Sequence, residues 1–220
     1  MKIDNKTIID IKEEAKKYFS NGDSSHDWSH IERVYNSAIK IGKAEKANLD
    51  ILKIAVYLHD VGRNDEIKSN GKICHAKRGV EIAQKILSKY NLDKEAVENI
   101  KHCILTHRNK NNHHPKTIEA KVLFDADKLD SIGAIGIARD FLFAGIYNAP
   151  LYTGREKKIM KDADKYAYTK DDTALLEYYY KLSKVKDKII TKTAKKVANE
   201  RHIYMKEFFK RFDKEVKGIL

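Results

Sequence analysis

The run ILKIAVYLHDVG, residues 51–62, constrains this chain more than any other segment. Ile51, Leu52, Ile54, Ala55, Val56, Tyr57 and Leu58 leave almost no polar face, so the spacing predicts a helix buried on most sides. Gly62 is the expected helix stop. His59 and Asp60 then fall at the buried end of that helix, where polar groups are costly unless something satisfies them. A divalent cation would satisfy both, because neutral imidazole and carboxylate are ligands for such ions.

Two other segments carry matching groups. In HDWSHIERVYNSAIKIGKA, Asp27 is placed to cap a helix on which Ile31, Val34, Tyr35, Ala38 and Ile41 recur at helical spacing. His30, four residues before Val34, shares or borders that buried stripe. In VLFDADKLDSIGAIGIAR, Asp127 and Asp130 are three apart and are expected on one helix face, with Asp125 pointing elsewhere. Gly133, Ala134, Gly136 and Ala138 remove bulk, so a close approach by another backbone is expected there.

Composition points to one all-α unit. Two hundred and twenty residues can bury one sizeable core, and no Gly-, Ser- or Pro-rich linker divides them. Pro115 and Pro150 fall in breaks between helical patterns, and alternating β-branched runs are nearly absent. No stretch has the apolar core of a secretory signal or the length of a membrane span, so a cytoplasmic protein is expected. Cys74 and Cys103 stand apart without a CxxC pair, which indicates neither a disulfide framework nor a zinc finger.

The formal charge of +12 raises the question of nucleic acid. Residues 155–220 hold 19 Lys or Arg against 11 Asp or Glu, which accounts for +8 of it. These lysines are spread around helical turns, with Leu175, Leu176, Tyr179, Leu182, Ala194, Val197, Met205, Phe208 and Phe212 running through them. That is the pattern of amphipathic helices with a solvated basic face, so no specific nucleic-acid partner and no membrane partner is expected.

His30, His59–Asp60 and Asp127 together resemble the H…HD…D signature of the HD-domain superfamily of metal-dependent phosphohydrolases. HDWSHIERV, LHDVGR, HAKRG, ILTHR, DADKLDSIGAIGIAR and the C-terminal KLSKVKDKIITKTAKKVANERHIYMKEFF carry the resemblance over nearly the whole chain, most closely to single-domain HD hydrolases. It implies an all-α helical bundle formed as one domain over residues 1–220, with core motifs at 26–139 and C-terminal helices at 155–220 packed on them. It implies one divalent ion (Mn, Fe, Ni, Zn or Mg) held by His30, His59, Asp60 and Asp127. His75 and His107 are expected to act in catalysis or substrate contact, as the extra histidines of some HD proteins hold a second metal or grip a phosphate, against the alternative of helix-end histidines bonded to terminal carbonyls. Asp130 could cap, pair with a basic neighbour or orient a ligand histidine, and the last is favoured. Asp125 is expected outside the site, His113 and His114 in a solvated loop, and His26 in local packing. Arg33, Arg63 and Lys128 could offer positive charge to phosphate oxygens, or form ion pairs.

No GxxxxGK[ST] loop and no GxSxG elbow occurs, so metal-assisted attack by water is more economical than a covalent route. HDVGRND lacks the HDxxED pattern of guanosine tetraphosphate hydrolases, and no GYP stretch marks the cyclic-dinucleotide branch. A phosphorylated small molecule, a nucleotide, remains as the expected substrate. Nucleoside triphosphate pyrophosphohydrolase and phosphomonoesterase or phosphodiesterase action are the candidate reactions. Phe143, Tyr147 and Tyr152 could frame a base or fill a core. A basic nucleotide- or nucleic-acid-binding module with a structural metal is the alternative.

Overall fold

The structure, a computed structural model, describes residues 2–19, 27–69, 71–109 and 113–220. Every regular element among the described residues is helical. In chain order the α-helices are α1 (Asn5–Lys16), α2 (Trp28–Ala44), α3 (Leu49–Leu58), α4 (Arg63–Lys68), α5 (His75–Leu87), α6 (Lys94–Thr106), α7 (Ile118–Leu129), α8 (Gly133–Ile146), α9 (Glu156–Ile159), α10 (Ala174–Tyr180) and α11 (Lys192–Val216). None is long and apolar enough to cross a membrane. The chain forms two compact units, Met1–Asp127 with Ile190–Thr193, and Lys128–Ile189 with Ala194–Leu220.

The first unit is built around α3, which packs against α1, α2 and α6. Leu52, Ile54, Ala55, Val56 and Leu58 are wholly buried, as the apolar run requires. Each such Leu or Ile contributes roughly 1.5–3 kcal/mol by leaving water. Side-chain caps set the helix starts: Asp27 accepts from Ser29 N (3.0 Å) and His30 N (3.3 Å), and Asn48 accepts from Asp50 N and Ile51 N. Buried carboxylates tie distant segments. Glu119 accepts from Asn48 N at 2.7 Å and from Asn99 Nδ2 at 3.0 Å. Asp125, fully buried, accepts from Ile190 N and Thr191 N at 2.8 and 2.7 Å, so it serves the fold in this unit.

Two expectations are corrected here. Gly62 does not terminate α3 with a left-handed cap. The helix ends at Leu58, and Gly62, with φ −88°, stands at the start of α4. Its small size matters for another reason: a Cβ would lie 2.4 Å from His75 O and 2.7 Å from Gly79 N. Likewise, Asp127 and Asp130 do not share a helix face. α7 stops at Leu129, Ile132 is extended, and Gly133 enters α8 with φ +80°, a conformation that breaks the helical run.

The second unit joins α8, α10 and most of α11 around Ile137, Leu175, Leu176, Met205 and Phe209. Tyr178 stacks on Phe209 with ring centroids 4.1 Å apart. A Cβ at Gly133 would meet the side chain of Arg201 on α11, whereas one at Gly136 would lie 2.3 Å from Ser131 O, so the expected close approach of a backbone is found at Gly136, with Met205 also near. The buried stripe of α11 runs through Ala194, Ala198, Met205 and Phe209, while Lys195, Lys196, Lys206 and Lys210 are exposed. Phe143 and Tyr147 cluster with Tyr168, and Tyr152 meets Phe212 edge-on.

Asp140 on α8 is buried, and its Oδ2 has no hydrogen-bond partner among the described residues. Burial, helped by Glu177 and only partly opposed by Lys181, pushes its carboxyl well above the ordinary range. The folded state therefore holds a proton that the unfolded chain releases near its normal pKa. Stability is present at low pH and is lost as pH rises toward the folded value. Asp140→Asn is expected to stabilise the protein at pH 7 by about 1–2 kcal/mol, a few degrees in unfolding midpoint. Thermal unfolding at pH 7 and pH 4 checks this, because the gain should shrink at the lower pH. An equal gain at both would contradict the charge account.

Candidate metal centre

The end of α3 delivers His59 and Asp60 into the interior, and the ends of neighbouring helices deliver the rest. His30 enters from the first turn of α2, His75 from the first residue of α5, His107 from the C-terminus of α6 and Asp127 from α7. His30, His59, Asp60, His75 and His107 are all at most 6% exposed, whereas the Asp127 side chain is 17% exposed and opens the site toward solvent.

Among the described residues, two three-residue groups could hold a metal ion: His30, His59 and Asp127, and Asp60, His75 and His107. Asp60 faces both. Its Oδ2 lies 3.8 Å from Nε2 of His30 and 3.8 Å from Nε2 of His59, while its Oδ1 lies 3.3 and 3.4 Å from Nε2 of His75 and His107. Nε2 of His30 is 3.5 Å from Oδ1 of Asp127. Donor atoms bound at about 2.1 Å to one cation sit roughly 3.0–3.5 Å apart, which the 3.3–3.5 Å separations match and the two 3.8 Å separations from Asp60 Oδ2 exceed by a few tenths.

The tautomers agree with that fit. His59 donates Nδ1–H to Val56 O at 2.8 Å, and His107 donates Nδ1–H to Ile104 O at 2.6 Å. Each ring gives its proton to the carbonyl three residues back and turns the lone pair of Nε2 inward. The helix-end role and a ligand role therefore coexist. Nε2 of His59 is buried and has no hydrogen-bond partner among the described residues. Burial above all lowers the pKa of His59 and of His75 to about 4, which leaves both rings neutral as a cation needs. Burial works to raise the Asp60 carboxyl, but the imidazoles of His59, His75 and His107 outweigh it and hold it well below the usual range.

A polar chain missed in the sequence backs His75. Its Nδ1 lies 2.5 Å from Oε2 of Glu66, and Glu66 is held by Nη1 of Arg63 at 2.8 Å and Nη1 of Arg108 at 2.7 Å. These contacts bring the Glu66 carboxyl down to about 2 in spite of its partial burial. The one local hint was the three-residue spacing of Arg63 and Glu66.

The other expected residues are placed as follows. Arg33 donates from Nη1 to Ser29 Oγ on its own helix. Asp130 pairs with Arg139 at 2.8 Å, the ion-pair alternative for that residue. Lys128, half-buried near the end of α7, accepts at its carbonyl from Ser131. His114 is exposed and lies 2.6 Å from Asn109 Oδ1, while His113 is half-buried in the same irregular segment. His26 lies outside the described residues.

Comparison with known proteins supports the same grouping. Residues 27–132 match the HD domain. The uncharacterized protein YpgQ of Bacillus subtilis is 32% identical over 213 residues, 95% of this chain and 93% of that protein. A crystal structure of YpgQ in complex with ADP aligns with a TM-score of 0.71 at 29% identity, covering 96% of this chain and 95% of that one. An HD-superfamily hydrolase of Bacillus thuringiensis aligns with a TM-score of 0.72 at 30% identity, covering 96% and 97%. By the motif residues, their convergence and these likenesses, the chain belongs to the HD-domain superfamily.

Proposed function

We propose that this protein is a metal-dependent phosphohydrolase of nucleotide phosphate bonds, acting on nucleoside triphosphates as a pyrophosphohydrolase or on related phosphomonoesters or phosphodiesters. The observation that carries the reading is Nε2 of His59, buried, unprotonated and without a hydrogen-bond partner among the described residues, beside the carboxylate of Asp60. His30, His59, Asp60 and Asp127 are the residues to hold the divalent ion. When bound, such an ion acidifies water and offsets charge on a phosphoryl group. His75 and His107, buried on the far side of Asp60, present Nε2 lone pairs able to accept a proton from attacking water. Arg63 and Arg108 stand beside this pair as fixed positive charges near the path of an anionic substrate. Arg33 is assigned a lesser part in phosphate binding. The ADP held by the relative YpgQ supports a nucleotide in this chain too.

The test is metal analysis combined with phosphate and pyrophosphate release over a panel of nucleotides. Turnover that requires Mn, Fe, Ni, Zn or Mg, disappears with chelator and returns with the ion is expected. A folded, metal-loaded protein inert on every phosphate ester, but tightly bound to nucleotide or duplex, would favour a binding module instead.

A further inference from the structure

We propose that Glu66 is a positioning residue that fixes the tautomer of His75. The proposal deepens the functional reading above, since it concerns how one imidazole of that centre is presented.

Glu66 sits between two guanidinium groups, those of Arg63 and Arg108, at 2.8 and 2.7 Å. It is therefore ionised, and an ionised carboxylate only accepts hydrogen bonds. Its Oε2 lies 2.5 Å from Nδ1 of His75, so Nδ1 carries the proton and donates it. In the neutral ring this leaves Nε2 as a lone pair, 3.3 Å from Oδ1 of Asp60 and 3.0 Å from Nε2 of His107.

The opposite tautomer has strong local support, which is why a positioning group is needed. A proton on Nε2 would be welcomed by Oδ1 of Asp60. Nδ1, once stripped of its proton, would accept from Nη1 of Arg63 at 3.2 Å and from Nη1 of Arg108 at 3.5 Å. Without Glu66, both arginines and Asp60 favour Nε2–H, and the lone pair would turn away from the centre. A carboxylate behind a working histidine orients the ring and raises its basicity, typically worth 10–100-fold. Here it must also outweigh four groups that favour the other tautomer: Asp60, the two arginines and the Nε2 lone pair of His107. Glu66 is mostly shielded while both arginines reach solvent, so the arrangement runs from the surface to a buried imidazole.

The test uses the full chain with 15N-labelled histidine, and the His75 resonances are assigned by their loss in His75→Ala. Long-range 1H–15N spectra of metal-free protein should show a proton on Nδ1 of His75, and Glu66→Gln should move it to Nε2. The Nδ1–H of His59 and His107 should be unmoved, which confirms the fold. On nucleoside triphosphate, Glu66→Gln should lower kcat by about 10–100-fold with KM within about twofold. Should that variant fail to fold, Glu66→Asp keeps the charge between the arginines but shortens the reach, and the same tautomer change is read. A His75 that keeps Nδ1–H in the folded variant overturns the proposal. So does an unchanged kcat in a protein that turns over. If the wild type hydrolyses no nucleotide, the functional reading fails while the spectra still decide the role of Glu66.

Discussion

Asp60→Ala is expected to leave the helices intact, to abolish stoichiometric binding of a divalent ion and to cut nucleotide turnover by about 1000-fold or more. The size follows from several kcal/mol of charge stabilisation lost with the ion, at about 1.4 kcal/mol per tenfold. Among the described residues, Asp60 is the only carboxylate facing all four imidazoles, with one oxygen toward His30 and His59 and the other toward His75 and His107. Its removal therefore breaks one donor group and takes away the carboxylate beside the other. The apolar packing of α3 is untouched, since Leu52, Ile54, Val56 and Leu58 remain. Circular dichroism, metal content and turnover measured on the same preparation check this. Folded Asp60→Ala protein with wild-type turnover would make the His–Asp pair a structural feature only.

Gly62→Ala is expected to damage fold and site together. The added Cβ would lie 2.4 Å from His75 O and 2.7 Å from Gly79 N, both backbone atoms, so α5 must move for it to fit. Overpacking against backbone costs about 3 kcal/mol here, at the upper end of what such insertions usually cost. The displaced helix begins at His75, so its Nε2 would leave Asp60 and His107. A drop in denaturation midpoint accompanied by loss of turnover is expected. A variant as stable and as active as wild type would show that the approach of α5 to Gly62 is not needed.

The candidate metal ligands could be read in the sequence because helical periodicity reports which face is buried. His30 and the pair ending the apolar run of α3 sit where their apolar neighbours place them. Glu66 and Arg108 could not be read that way. α4 is six residues long with no buried position, and the partners of Glu66 lie up to 42 residues away. The break between α7 and α8 was hidden for a related reason. A glycine required for a positive φ, as at Gly133, looks in sequence like one required for close packing. On α11 the stripe was legible only to within a residue: Ala198 and Phe209 are buried, with Val197 and Phe208 at its margins. Asp125 was rightly set apart from the ligands, but its bonds to Ile190 and Thr191 join segments 65 residues distant, beyond any local pattern.

Anomalous diffraction from crystals grown with Mn2+ decides whether a divalent ion is held where the ends of α2, α3 and α7 meet. A manganese peak is expected within about 2.3 Å of Nε2 of His30 and His59 and of carboxylate oxygens of Asp60 and Asp127. A well-ordered crystal with no such peak, or with manganese only at other side chains, would contradict it.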